Sequence, residues 1–131
     1  MESSPRVLVA EDDRWMRALI GIRLRRSGYE VFPAGTGTQV LALLEQHLPH
    51  AMDVLVMDVH LPGCSGLDVA ERLRSHCAIP IVLVTAFPDA EIRSVANRLG
   101  IPLLTKPFSL DRLSEVVDRA RVCQALHWSD L

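Results

Sequence analysis

Residues 53–58 read Asp-Val-Leu-Val-Met-Asp, four consecutive apolar side chains between two acids. Four residues are too few for a helix, and the lack of apolar/polar alternation means that both faces of the segment must be covered. Such a run belongs inside a parallel sheet. Comparable runs occur at Arg6–Ala10 (RVLVA) and Pro80–Thr85 (PIVLVT), with shorter or more mixed ones at Glu30–Ala34 and Ile101–Leu104, so five strands are predicted, the third over Asp53–Asp58.

The intervening segments carry helical spacing. Met16, Leu19, Ile20 and Leu24 mark the first helix, which Gly28 stops. Further helices are predicted over Thr38–Leu48, Gly66–Ser75 and Asp89–Leu99, with a last one from about Leu110. Ser65 followed three residues on by Asp68 has the form of a capping box, and Ser109 can cap the last helix. Breakers at Gly35, Gly37, Pro49, Pro62, Gly63, Pro88, Gly100 and Pro107 separate the elements. Five strand–helix units predict a doubly wound α/β fold with a flavodoxin-like parallel sheet, strand order 2-1-3-4-5.

The 131 residues suit one domain. No apolar run approaches the roughly 18 residues of a membrane span, and Met1–Pro5 carries no targeting pattern, so a soluble cytoplasmic protein is expected. Fourteen Lys and Arg against sixteen Asp and Glu give a net charge of −2, which argues against nucleic-acid binding by this domain. Cys64, Cys77 and Cys123 form no C-x-x-C pair, which suits free thiols in a reducing compartment. A zinc site from His60, Cys64, His76 and Cys77 matches no common ligand spacing. His47 and His50 read as surface loop.

Ligands of an open parallel sheet bind beyond the carboxyl ends of its strands. Those ends carry Glu11, Asp12 and Asp13 after the first strand, Asp58 on the third, Thr85 on the fourth, and Lys106 and Pro107 after the fifth. In the order 2-1-3-4-5 the acids converge, and converging carboxylates repel unless a cation joins them. Mg²⁺ with oxygen ligands fits, while Lys106 and the Thr85 hydroxyl suit phosphoryl oxygens, which leaves one carboxylate to attack in line. Asp13 reads as favouring the first helix through its dipole, and Trp15 as partly exposed beside the acids.

Four motifs, Val-Ala-Glu-Asp-Asp at 9–13, Met-Asp-Val-His-Leu-Pro-Gly at 57–63 with Gly66 beyond, Val-Thr-Ala at 84–86 and Lys-Pro-Phe at 106–108, resemble those of bacterial two-component response-regulator receiver domains. The resemblance covers residues 6 to about 121, so a receiver domain is expected over 1–121 and a tail, continuing the last helix or starting a linker, over 122–131. It implies that Asp58 is the phosphoacceptor, that Glu11, Asp12, Asp58 and the backbone carbonyl of His60 hold Mg²⁺, that Thr85 is the switch hydroxyl, and that Lys106 pairs with the phosphoryl group beside a cis peptide bond to Pro107. The implied function is a phosphorelay switch that catalyses its own phosphorylation and slow dephosphorylation. Its implied partners are a sensor histidine kinase or phosphotransfer protein, an output partner or fused output domain, and a second copy across helix four, strand five and helix five.

Leu103 departs from the pattern, standing where the family usually carries an aromatic residue that moves with the switch hydroxyl. It supports one alternative, a receiver-like scaffold that works without phosphorylation. A Mg²⁺-dependent phosphohydrolase of the haloacid dehalogenase kind would need an Asp two residues after the nucleophile, where His60 stands. A flavin carrier would need a phosphate cradle in place of Glu11–Asp13.

Overall fold

The computed structural model describes residues 3–46, 52–76 and 78–129. Its elements in chain order are β1 (Arg6–Ala10), α1 (Arg14–Arg26), β2 (Glu30–Ala34), α2 (Gly37–Gln46), β3 (Val54–Asp58), α3 (Gly66–His76), β4 (Ile81–Thr85), α4 (Ala90–Leu99), β5 (Leu103–Thr105) and α5 (Leu110–Ser129). All strand pairs are parallel, in the order β2-β1-β3-β4-β5.

Successive side chains on a strand point to opposite faces, and the core divides accordingly. Val7, Val9, Val54, Val56, Val82 and Val84 pack with Ile20 and Leu24 of α1 and Leu113 and Val117 of α5. Leu8, Ala10, Leu55, Met57, Ile81 and Leu83 pack with Val40 of α2, Val69 of α3 and Ile92 of α4. Two helices therefore cover one face and three the other, which is why the central strands are apolar throughout.

Several boundaries differ from the sequence expectation, each for a local reason. β5 is Leu103–Thr105 and excludes Ile101, because the Ile101 N–H bonds back to the Ala96 carbonyl as part of the α4 C-cap, where Gly100 has φ +68. β4 begins at Ile81, and Asp53 precedes β3, its carboxylate accepting from the Arg6 N–H. α2 begins at Gly37, one residue earlier than predicted, and the predicted continuation to Leu48 falls partly outside the described residues, as do His47, His50 and Cys77. α3 extends one residue to His76, while Asp89 caps α4 rather than opening it. α5 continues to Ser129, and the sequence has no Gly or Pro from Phe108 onward to end it. The Ser65 and Ser109 hydroxyls accept from the Asp68 and Arg112 N–H groups, as caps do.

Side chains tie α5 to the rest of the fold near β2. The Tyr29 hydroxyl donates to Asp118 at 2.6 Å and accepts from Arg121 Nε at 3.1 Å, and the Ser27 and Ser114 hydroxyls meet at 2.9 Å. Burial, reinforced by the Asp118 carboxylate, pushes the Tyr29 phenol up to about 12 from an ordinary 10.0. A raised folded-state value means that this group's stabilisation is complete below pH 10 and is lost as pH rises through 12. Tyr29 is the only tyrosine, so phenolate absorbance reads it alone. Its midpoint should lie near 12 in the folded protein and near the ordinary value in urea; equal midpoints would contradict the contact.

Candidate phosphoacceptor and metal site

Strand ends deliver the site. Glu11 follows β1, Asp58 ends β3 and Thr85 ends β4, and all three are buried, whereas Asp12 is exposed at the mouth. One carboxylate oxygen from each of Glu11, Asp12 and Asp58 lies within 4.8 Å of the others. This all-oxygen, hard-donor set suits a divalent cation of the Mg²⁺ type, and it is the metal-ligand cluster present among the described residues. None of the described histidines or cysteines belongs to it.

Lys106 reaches into the cluster. Its Nζ donates to Asp58 Oδ2 at 2.6 Å and to Glu11 Oε2 at 2.9 Å. The backbone aims it there: the Lys106 N–H bonds to the Thr85 carbonyl, extending the β4–β5 ladder, and the Lys106–Pro107 peptide is cis, as the resemblance implied. Burial acts to lower the Lys106 ammonium, but the bonds to Asp58 and Glu11 outweigh it and the group is held above its ordinary value. Burial is also the main reason that Glu11 is raised to about 7; its bond to Lys106 opposes this and the nearby Asp58 adds to it.

The loop after β3 wraps Asp58. The His60 N–H donates to Asp58 Oδ1 at 2.8 Å and the Gly66 N–H to the Val59 carbonyl at 2.8 Å. Gly63 takes φ +85 in this turn, and at Gly66 a side chain would overlap the Asp58 carbonyl oxygen. The Thr85 hydroxyl accepts from the Phe87 N–H at 3.2 Å, which leaves its own hydrogen to donate.

Asp13 does more than favour the helix dipole. Its carboxylate caps α1 by accepting from the Trp15 and Met16 N–H groups, and these bonds, Met16 first, hold it below its ordinary value. Trp15 is more exposed than the sequence suggested, at 75%. Arg17 escaped the sequence reading: it donates to the Glu11 carbonyl at 2.7 Å and braces the start of α1 against the acidic pair. One signal was available, since Arg14 and Arg17 occupy the first turn of α1, where positive charge opposes the helix dipole.

The profile of the response regulator receiver domain matches residues 7–118. The chain belongs to the response-regulator receiver family. It is 37% identical over 117 residues to the transcriptional regulatory protein PdtaR of Mycobacterium tuberculosis, an alignment covering 88% of this chain and 56% of that protein. It is 38% identical over 117 residues to the probable transcriptional regulatory protein TcrX of the same species, covering 88% and 47%. The chain thus spans about half the length of these relatives. Among solved structures, the non-phosphorylated HemR receiver domain of Leptospira biflexa superposes with a TM-score of 0.80 at 30% identity, covering 89% of this chain and 94% of that one. A CheY-like receiver domain of Methanospirillum hungatei gives 0.87 at 23% identity, covering 95% and 99%, which speaks to the fold alone. Receiver domains serve two-component, phosphorylation-dependent signalling, and the acidic cluster of this one is consistent with a divalent metal. No helix among the described residues is long and apolar enough to cross a membrane.

Proposed function

We propose that this receiver domain is a phosphorelay switch in which Asp58 takes a phosphoryl group from a histidine kinase or phosphotransfer protein, with Glu11, Asp12, Asp58 and the His60 carbonyl holding Mg²⁺. The observation that carries the reading is the buried Asp58 carboxylate, held by Lys106 at 2.6 Å and the His60 N–H at 2.8 Å, beside two further acids. A carboxylate oxygen of Asp58 attacks phosphorus as the donor's P–N bond breaks, leaving an acyl phosphate. Lys106 exchanges its bond to Asp58 for one to a phosphoryl oxygen, and the Thr85 hydroxyl donates to another. A bound Mg²⁺ would supply the remaining neutralisation of charge on the transferring group. Incubation with acetyl phosphate and Mg²⁺ should add one phosphoryl group to the intact mass and add none with EDTA; labelling that ignores EDTA would contradict the metal requirement.

Partner docking follows from the surface beside the acids. Trp15, Leu19 and Ile22 lie four and three residues apart on α1 and are 75%, 49% and 52% exposed, an apolar stripe leading away from Asp12. We assign it to the helices of the phosphodonor protein. The cytoplasm is the compartment such a donor implies, residues 1–121 the receiver unit, and a separate or fused output element the recipient of the signal. The face made by α4, β5 and α5 is assigned to the output partner or a second copy. Leu103 is half-buried against the core on that face, and the scaffold alternative rests on it; the labelling experiment separates the two.

Two further results are expected. Mg²⁺ should alter Trp15 fluorescence in a Trp128→Phe background, since Trp15 stands three residues past Asp12 with its N–H on the Asp13 carboxylate. An unchanged spectrum together with no calorimetric heat would remove the metal site. Phe87, two residues past Thr85, is 75% exposed and offers water no polar side-chain atom. Dephosphorylation should therefore be slow, and Phe87→Glu should shorten the lifetime of the label several-fold by positioning water. An equal lifetime would clear Phe87 of that role.

A further inference from the structure

The peptide that joins Glu11 to Asp12 lies just past the end of β1, whose ladder to β3 stops at Ala10. Two elements hold Glu11 there. Its N–H still bonds to the Ala34 carbonyl of β2 at 3.0 Å, while its own carbonyl oxygen accepts from Arg17 Nη1, in the first turn of α1, at 2.7 Å. A peptide unit is planar, so fixing the Glu11 carbonyl also fixes the direction in which the chain carries Asp12. Arg17 is half-buried, and its guanidinium uses space that residue 35 leaves open, since a Cβ on Gly35 would stand 3.2 Å from Nη1.

The charge of Arg17 works against its position twice. A cation in the first turn of a helix opposes the dipole, and a cation beside the acidic cluster repels an incoming Mg²⁺. What Arg17 contributes is therefore geometric. We infer that Arg17 is a positioning residue for the metal site: by holding the Glu11–Asp12 peptide it sets the direction of Asp12 toward the cation. The inference rests on the reading of Glu11, Asp12 and Asp58 as Mg²⁺ ligands.

Positioning and charge predict opposite signs. If only the charge of Arg17 mattered, removing it would tighten Mg²⁺ binding; if Arg17 places Asp12, removing it weakens binding. Calorimetric titration with Mg²⁺ compares the wild type with three variants of the whole chain. Arg17→Met keeps the apolar stem but neither charge nor donor, Arg17→Lys keeps a charged donor of similar reach, and Arg14→Met removes an exposed charge from the same helical turn. Affinity should fall about tenfold or more in Arg17→Met, as on loss of an outer-shell partner. Arg17→Lys should recover most of it, and Arg14→Met should bind as tightly as the wild type or more tightly.

Labelling by acetyl phosphate should be slow in Arg17→Met at low Mg²⁺ and reach the wild-type rate once Mg²⁺ saturates the weakened site. The inference is overturned if Arg17→Met binds Mg²⁺ as well as the wild type or better, if Arg14→Met or Arg17→Lys loses as much affinity as Arg17→Met, or if labelling stays slow at saturation. A wild type that binds no Mg²⁺ overturns the metal reading itself; wild-type binding that Arg17→Met leaves intact overturns the role of Arg17 alone.

Discussion

Asp12→Ala is expected to abolish Mg²⁺-dependent phosphorylation and to weaken Mg²⁺ binding by at least about a hundredfold, the upper end of what loss of a mere outer-shell partner costs. Three carboxylates meet one ammonium in the site. Glu11 and Asp58 already share that ammonium, and burial raises Glu11 to about 7, which favours its protonated form. Asp12 is the exposed member without a bond to Lys106, so it is the acid that can meet an incoming hydrated cation without breaking an ion pair. Calorimetric titration with Mg²⁺ and phosphoryl incorporation measured in parallel check this. An affinity within a few-fold of the wild type would mean that the cation is held elsewhere.

Gly66→Ala should be a costly methyl group to add beside Asp58. The new Cβ would overlap the Asp58 carbonyl oxygen and press on the Val59 backbone. Backbone cannot turn aside as a flexible side chain can, so the loop that holds Asp58 must shift and lose the His60 bond to its carboxylate. A loss of about 3 kcal/mol in urea unfolding is expected, the upper part of the usual range for overpacking, together with impaired labelling. Gly28→Ala is the control: its φ is +100 and nothing lies within 4 Å of the added carbon, so it should cost about 1 kcal/mol for the left-handed backbone alone and leave labelling unchanged. Equal costs at the two positions would show that the β3–α3 loop accommodates a side chain.

The sheet and the position of the candidate site residues were legible for one physical reason. Unbroken runs such as Val54–Met57 and Ile81–Val84 can only be covered on both faces, which makes the sheet parallel, and a parallel sheet puts its chemistry at strand ends that can be read directly as Glu11, Asp58 and Thr85. What remained hidden was tertiary. That Lys106 would touch Glu11 as well as Asp58 depends on the chain path between β4 and β5, and the brace from Arg17 to Glu11 depends on the angle at which α1 leaves β1. The limits of β5 were misread because Ile101 is apolar like a strand residue, while its N–H completes the cap of α4.

The central claim, that Asp58 is the residue phosphorylated, is tested most directly by trapping the acyl phosphate. Protein treated with acetyl phosphate and Mg²⁺ is reduced with borohydride, which converts an aspartyl phosphate to homoserine, and is then mapped by peptide mass spectrometry. Homoserine at position 58, absent from the sample treated with EDTA, is the expected result. Homoserine at Asp12 or Asp53, or a stable phosphate on a hydroxyl side chain with Asp58 unmodified, would contradict the account.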